Sequence, residues 1–355
     1  MVERRLLLYG STGFTGKLIL ERALAAGLRP RLAGRDAGRV RAVAEPLELD
    51  WCVADLADGA ALEQALRGAD VVLNAAGPFA DTALPLASAA AACGVHYLDV
   101  TGEIDAIESL ASRHGEWRRQ GVMVMPAVGF DVVPSDCLAV RLARDVPGAS
   151  TLRIAVAGLS LVSHGSAETL AREWGRGTRL RRDGAIQAVP PGSMTRTFDF
   201  GAGPQPSVLV GFGDVASAYY STGIPNVETY FAASPLLALV NATNRLFGSL
   251  LATPPARALI SAWHSLLPAG PPAALRQRVE TVVVAEVETP RGERRTAALR
   301  AGDSYELTAV SAIAIARRVL AGHLVPGFQT PARVFGPELL ADLPVTPAAG
   351  GAGAA

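Results

Sequence analysis

The sequence predicts an α/β chain, in which an N-terminal parallel sheet flanked by helices precedes an α+β domain built on a mixed or antiparallel sheet. Three observations predict it. Short apolar runs alternate with helical patterns through residue 135. A glycine-rich turn joins the first run to the first helical pattern. Beyond residue 150 the chain changes to alternating, Pro- and Gly-rich segments.

Each element follows from its pattern. Arg5–Tyr9 reads as a strand, and Gly16–Ala26 as a helix with Leu18, Ile19, Ala23 and Ala26 at helical spacing. Strand Pro30–Ala33 precedes helix Ala37–Ala44. Strand Asp50–Val53 precedes helix Asp58–Arg67, which turns Leu62, Ala65 and Leu66 inward. Strand Asp70–Ala75 precedes helix Leu84–Cys93, strand His96–Asp99 precedes helix Ile104–Gln120, and Val122–Pro126 is the sixth strand. This alternation requires right-handed crossovers. Downstream, Thr151–Val156 reads as a strand, Ala167–Gly175 as a helix and Ile186–Val215 as antiparallel sheet. Val279–Val287 and Arg294–Arg300 flank the turn Pro290-Arg291-Gly292 as a hairpin, and Tyr305–Leu320 is an amphipathic helix. The expected domains are 1–135 and 136–304, with a segment from about 305 to 345 packing back on the first, and a disordered Gly/Ala-rich tail at 346–355.

Half of the 355 residues are hydrophobic and 19% are charged, enough for packed cores. The formal net charge is zero, which argues against a nucleic-acid partner. Cys52, Cys93 and Cys137 are odd in number and form no CxxC pair. They predict buried thiols in a reducing cytoplasm, with no disulfide framework and no metal site. The apolar run Leu6–Tyr9 is too short for a secretory signal. Pro235–Ala252 is apolar but interrupted by Asn241, Asn244 and Arg245. It reads as a buried helix rather than a membrane span; a helix lying in a membrane interface, and so peripheral association, is the alternative.

Gly10, Gly13 and Gly16 form GxxGxxG between a strand and a helix. Such a turn is tight, lets the backbone approach a pyrophosphate, and aims the helix's unpaired N–H groups at that anion. Gly10-Ser11-Thr12-Gly13-Phe14-Thr15-Gly16 is therefore the expected cradle of a Rossmann-type domain, with hydroxyls from Thr12 and Thr15 as added donors. An NAD site carries an acid at the end of the second strand. Here that position is Arg35, whose guanidinium fork suits a 2′-phosphate, so the expected cofactor is NADP(H). The other reading has Arg35 solvated and Asp36 on the ribose. Asp55 follows the third strand, near the adenine. Ala76-Gly77-Pro78-Phe79 follows the fourth, where small residues let the backbone reach the nicotinamide ribose. Asp55 and Glu103 read equally as ligand contacts or helix caps.

These turns together resemble the saccharopine dehydrogenase-like oxidoreductases, and among them the bacterial trans-acting enoyl reductases. The stretches that carry the resemblance are 10–16, 33–36, 74–79, 97–103, 129–136, 213–226 and 326–331. The resemblance implies NADPH, a Rossmann domain, an α+β second domain, and a small-molecule or carrier-protein-bound substrate. It implies reduction of an activated C=C bond in an enoyl or enone, as in polyketide or lipid assembly. Saccharopine-type C=N or C=O reduction is the alternative, with Arg172, Arg176 and Arg179 available for carboxylates. A non-catalytic NADP-binding sensor or scaffold is the third. A homodimer is compatible with all three.

Hydride acceptors need a proton donor near the nicotinamide. Topology places Gly129-Phe130-Asp131 there, with Gly129 beside the cofactor. Asp131 and Asp136 read as contacts to ribose or substrate, or as loop caps. Tyr219 and Tyr220 are adjacent on a polar segment; Tyr220 is the preferred donor, and core tyrosines are the other reading. His164, before a helix start, reads as an exposed turn residue or an anion contact. No Gly-x-Ser-x-Gly or Tyr-x-x-x-Lys pattern occurs, which excludes an esterase elbow and a Tyr/Lys reductase.

Overall fold

The computed structural model describes residues 5–158, 175–253, 255–256 and 270–348. They form two compact units, one from Met1–Val133 with Tyr305–Val334, the other from Pro134–Ser304 with Phe335–Ala355.

The first unit is a parallel sheet. Its strands are β1 (Leu6–Tyr9), β2 (Arg31–Gly34), β3 (Trp51–Val53), β4 (Val71–Asn74), β5 (His96–Asp99), β6 (Met123–Met125) and β15 (Gly327–Phe328). Their order is β15-β6-β5-β4-β1-β2-β3. The chain moves one way from β1 to β3, then crosses back to β4 on the other side of β1. Ligands of such sheets bind at this reversal, outside the carboxyl ends of the strands. The ends are level, since Tyr9 pairs with Ala33 on one side and Asn74 on the other. The two central strands have the apolar runs that a sheet covered on both faces requires: Leu6–Tyr9 and Val71–Leu73 are all buried.

Helices α1 (Phe14–Ala25), α2 (Ala37–Ala44) and α3 (Gly59–Leu66) follow the first three strands, and α3 buries Leu62, Ala65 and Leu66 as its spacing requires. Two helices depart from the sequence reading. The one expected from Leu84 begins at Phe79, as α4 (Phe79–Ala92), with Pro85 inside it. The one expected over Ile104–Gln120 is two, α5 (Ile104–Ser112) and α6 (His114–Arg119). Arg113 leaves the helical path between them, donating to Ser88 Oγ at 2.8 Å and to Glu116. The break lets the fully buried Trp117 donate to the Leu110 carbonyl at 2.9 Å. β15 has no counterpart in the sequence pattern, because its two residues are too few for a periodic signal.

The second unit opens with α7 (Val133–Asp145). Its strands are β7 (Thr151–Ala157), β8 (Thr178–Arg182), β9 (Ala185–Val189), β10 (Thr195–Asp199), β11 (Pro204–Val210), β12 (Asn226–Ala232), β13 (Thr281–Glu288), β14 (Arg294–Ala301) and β16 (Val345–Pro347). The path is β10-β11-β12-β7-β13-β14-β16, with β8 pairing β12 and β9. Only the β12–β7 pair is parallel, so the sheet is mixed. Leu209, Tyr230, Ala155, Val284 and Ala298 lie level across five strands and form the middle of its core. On the same face, Arg153 sits between Glu228 and Glu286 and offsets their charge at 3.4 and 2.9 Å.

Four expectations need correction here. The C-terminal segment joins the first unit only as far as Val334, because β16 pairs β14 in the second. The strand runs through Pro347, inside the stretch expected to be a disordered tail. Helix Pro235–Leu251 forms, but it is not buried: Leu236, Leu239, Leu246, Phe247 and Leu250 are all exposed. Cys93 is likewise exposed and Cys52 half-buried; only Cys137 is a buried thiol. Burial raises the Cys52 pKa despite the nearby Arg31. His164, Arg172 and most of the helix expected at Ala167–Gly175 lie outside the described residues.

Candidate functional site

The glycine turn leaves β1 at the reversal point. Gly10 has φ +87°, a left-handed conformation that suits glycine, and its N–H donates to the Ala33 carbonyl at 3.0 Å. A Cβ there would stand 2.7 Å from the Ala76 nitrogen, so the turn after β1 touches the turn after β4. A Cβ on Gly16 would overlap the Gly10 carbonyl oxygen. Gly10 and Gly16 are thus required by packing. Gly13 is not: a Cβ there would meet only the Gly10 oxygen, at an ordinary 3.5 Å. Close approach of a ligand is a reason for glycine at that position that packing does not supply.

The start of α1 is open to an anion. Gly13 is its N-cap, with no side-chain cap and no acid in the first turn. Ser11 is fully buried and its hydroxyl has no hydrogen-bond partner. Thr12 and Thr15 are half-buried beside it, and Phe14 packs edge-on against Tyr305 at 5.1 Å. A pyrophosphate fits these features: it would face the N–H groups of the first turn and give the orphaned Ser11 hydroxyl a partner.

Arg35 and Asp55 are exposed at the ends of β2 and β3. Both act on Tyr9, whose hydroxyl donates to the Ala54 carbonyl at 3.0 Å. Burial and the Asp55 charge push the Tyr9 phenol up to about 12, while Arg35 pulls it down. Asp36 is committed elsewhere: it caps α2, accepting from Arg39 N at 3.0 Å. Asp55 accepts from Ala57 N at 2.9 Å, forming a local turn.

The turn after β4 is held by Asn74, Thr82 and Tyr97, to which the sequence reading gives no role of their own, and by Glu103, which it reads as a contact or a cap. Asn74 Oδ1 accepts from Ala76 N at 2.9 Å, and its amide donates to Thr82 Oγ1 and the Tyr97 hydroxyl. Thr82 donates to the Ala76 carbonyl at 2.6 Å. Glu103 accepts from Phe79 N and Ala80 N, both at 2.8 Å. Glu103 is therefore a cap, and it explains why α4 starts at Phe79. Gly77 is exposed, and Pro78 precedes the helix as its N-cap. The signal for Tyr97 and Asp99 was their spacing of two on β5, which puts both on one face. The Tyr97 hydroxyl donates to Asp99 at 2.8 Å, and Thr101 N and Ala127 N donate to its other oxygen. Burial raises Asp99 to about 6 against the pull of those bonds, and raises Tyr97 well above its usual range.

Asp131 lies beyond β6. Its carboxylate rests against Gly102, where a Cβ would overlap it. Burial alone raises it to about 7, with no hydrogen bond offsetting the shift. At neutral pH such a group is half protonated, which suits a general acid. Gly129 has a packing role: a Cβ would stand 2.9 Å from Thr308 Cγ2, and Thr308 Oγ1 accepts from Phe130 N at 3.0 Å.

Tyr220 belongs to the second unit. It sits not on a strand but on the helix Asp214–Thr222, half-buried, edge-on to Tyr219 at 5.4 Å. The buried Arg181 guanidinium covers Tyr219 at 4.3 Å and Tyr220 at 5.7 Å, and Arg181 also donates to the Val215 and Gly184 carbonyls. Asp136 is in the first turn of α7, fully buried.

Comparison with known proteins agrees with this geometry. Residues 10–127 match the NAD(P)H-binding family. Trans-acting enoyl reductases of Mycobacterium ulcerans and Mycobacterium leprae are 36% and 39% identical over 169 and 152 residues. Those matches cover 45% and 41% of this chain and 40% and 36% of the relatives, so the chain spans about two fifths of their length. The fold is similar to saccharopine dehydrogenase (L-Glu forming) from Saccharomyces cerevisiae over 98% of this chain and 100% of that one, with a TM-score of 0.64 at 15% identity. The chain thus carries an NAD(P)H-binding domain and shares the saccharopine dehydrogenase fold.

Proposed function

We propose that the protein is an NADPH-dependent oxidoreductase that reduces an activated C=C bond in an enoyl or enone, either free or held on a carrier protein. The observation that carries the cofactor is the open start of α1, with an orphaned Ser11 hydroxyl beside it. The 2′-phosphate preference rests on Arg35, exposed at the end of β2 while Asp36 caps α2. The enoyl substrate rests on the relatives' name.

Bound NADPH would supply the hydride. The chain's residues do the rest. Gly10, Gly13 and Gly16 admit the phosphates, Thr12 and Thr15 donate to them, and Asp55 and the Ala76–Phe79 turn bracket the sugars. The substrate β-carbon takes the hydride, the C=C pair moves to the α-carbon, and a protein acid protonates it there. Asp131, held near neutrality by burial, is the proposed holder of that proton. Tyr220 is the candidate in the second unit.

The test is NADPH consumption with an enoyl thioester, presented free and on a carrier protein. Turnover with either is expected, with the product saturated at the α–β bond. Turnover confined to imine or keto substrates would move the activity to saccharopine-type chemistry, and tight NADPH binding without turnover would make the protein a sensor. Arg35→Ala should raise the KM for NADPH roughly 10- to 100-fold and leave that for NADH unchanged. Equal effects on both cofactors would overturn the role given to Arg35.

A further inference from the structure

The helix Pro235–Leu251 faces the wrong way for a soluble protein. Leu236, Leu239, Val240, Leu246, Phe247 and Leu250 fall on one arc at helical spacing, and that arc is exposed: Leu246 by 73%, Leu236 by 66% and Phe247 by 53%. The helix docks through its small and polar side instead. Asn244 Oδ1 accepts from Gly175 N at 2.9 Å. Gly248 is its buried residue, and a Cβ on Gly175 would stand 2.7 Å from the Gly248 carbonyl oxygen. Asn241 packs over Gly192. An amphipathic surface helix normally buries the other face.

A second observation says what covers the leucines. From Thr229 to Val279 there is no aspartate or glutamate, in a chain that has 33 of them. The charged residues of that run are Arg245, Arg257, Arg276 and Arg278. Arg276 pairs with Asp303 at 3.8 Å; Arg245, on the helix's polar side, and Arg278 are exposed. Excluding acids from so long a run has a physical reason at a negatively charged surface. Self-association explains it less well, because one helix arc of six side chains is small beside the roughly 20–30 residues per side of a stable protein pair.

We propose that this helix is an interfacial anchor that docks the protein on an anionic lipid surface, its leucines and Phe247 entering the boundary between headgroups and acyl chains. Among the described residues no helix is long and apolar enough to cross a membrane. The exposed arc runs from Leu236 to Leu250 along the helix, as an anchor lying flat requires. The mode is independent of the reductase reading.

Co-sedimentation of the purified protein with vesicles tests it. Binding to phosphatidylglycerol/phosphatidylcholine vesicles is expected, roughly tenfold or more above pure phosphatidylcholine and weakened by salt. Leu246→Glu with Phe247→Glu should abolish binding without lowering the thermal midpoint, both side chains being exposed. Arg245→Glu, which leaves the apolar arc intact, should weaken binding to the anionic vesicles only. No binding of the native protein, equal binding to neutral vesicles, or undiminished binding by the double variant would overturn the proposal. So would a native dimer that the double variant splits, with no vesicle binding by either.

Discussion

Two helix starts in the same sheet are built in opposite ways. α4 opens on the carboxylate of Glu103, which takes the N–H groups of Phe79 and Ala80. α1 opens on glycines, with no cap, no first-turn acid and an unpartnered serine hydroxyl. α2 and α3 resemble α4 in this respect, each having an aspartate cap, Asp36 and Asp58. A free helix start is a local loss of about 1 kcal/mol relative to a capped one. Three helices avoid it; α1 accepts it. The difference marks the one of these four starts that the proposed site leaves open for an anion, and substitutions that erase it should be the most damaging.

The largest effect is expected at Gly16. Its alanine variant puts a Cβ onto the Gly10 carbonyl oxygen, so the turn must open. NADPH affinity should fall at least about 100-fold and stability by about 1–3 kcal/mol. Gly59→Ala, in the capped start of α3, is the control. Nothing lies within 4 Å of its added Cβ, and the change should stay within about 1 kcal/mol. Fluorescence titration with NADPH and thermal melts measure both. Normal cofactor binding by Gly16→Ala would remove the turn from the site.

The next effect sets two carboxylates against each other. Glu103 is satisfied by two N–H groups, whereas Asp131 has only burial acting on it and is raised to about 7. The unfolded value is about 3.9. Between the two, the folded chain holds a proton that the unfolded chain has lost. Stability from Asp131 is therefore full below about pH 4 and is lost as pH rises through about 7. Asp131→Asn cannot ionise, so its stability advantage over the native protein should grow between pH 4 and 7 at up to about 1.4 kcal/mol per unit, then level off. The raised Asp99 acts in the same direction but is common to both proteins and cancels. A pH-independent difference in denaturation midpoints would show that the Asp131 carboxyl is solvated. Glu103→Gln should do the reverse of Asp131→Asn, lowering stability by about 1–2 kcal/mol at neutral pH through the lost charge on α4.

What could be read from the residues, and what could not, divides along the same line. β1, the glycine turn and α1 were legible because period, spacing and turn chemistry all act within a short stretch. The early start of α4 was not. The cap that places it comes from Glu103, which reaches Phe79 only in the folded chain. β15 joins the sheet through two residues whose pairing with Met123 and Val124 is wholly tertiary. Tyr220 offers a hydroxyl in the sequence, but the Arg181 guanidinium over its ring comes from β8, nearly forty residues upstream. The exposed leucines of Pro235–Leu251 went the other way from the rule that apolar means buried.

The smallest effect is the most direct test of the contrast between α1 and α4. Thr15→Asp places an acid in the first turn of α1, so that α1, like α2, α3 and α4, starts beside a carboxylate. Without cofactor the helix gains about 0.3–1 kcal/mol from the acid near its N-terminus. With NADPH the same charge faces the pyrophosphate, and affinity should fall about tenfold or more. Stability and binding then move in opposite directions from one substitution, which a merely structural defect would not produce. If melting of the cofactor-free variant rises and the NADPH titration is unchanged, the open start of α1 is not where the anion sits. If both fall, the acid has disturbed the turn, and Thr12→Asp, one residue before the N-cap, repeats the test from outside the helix.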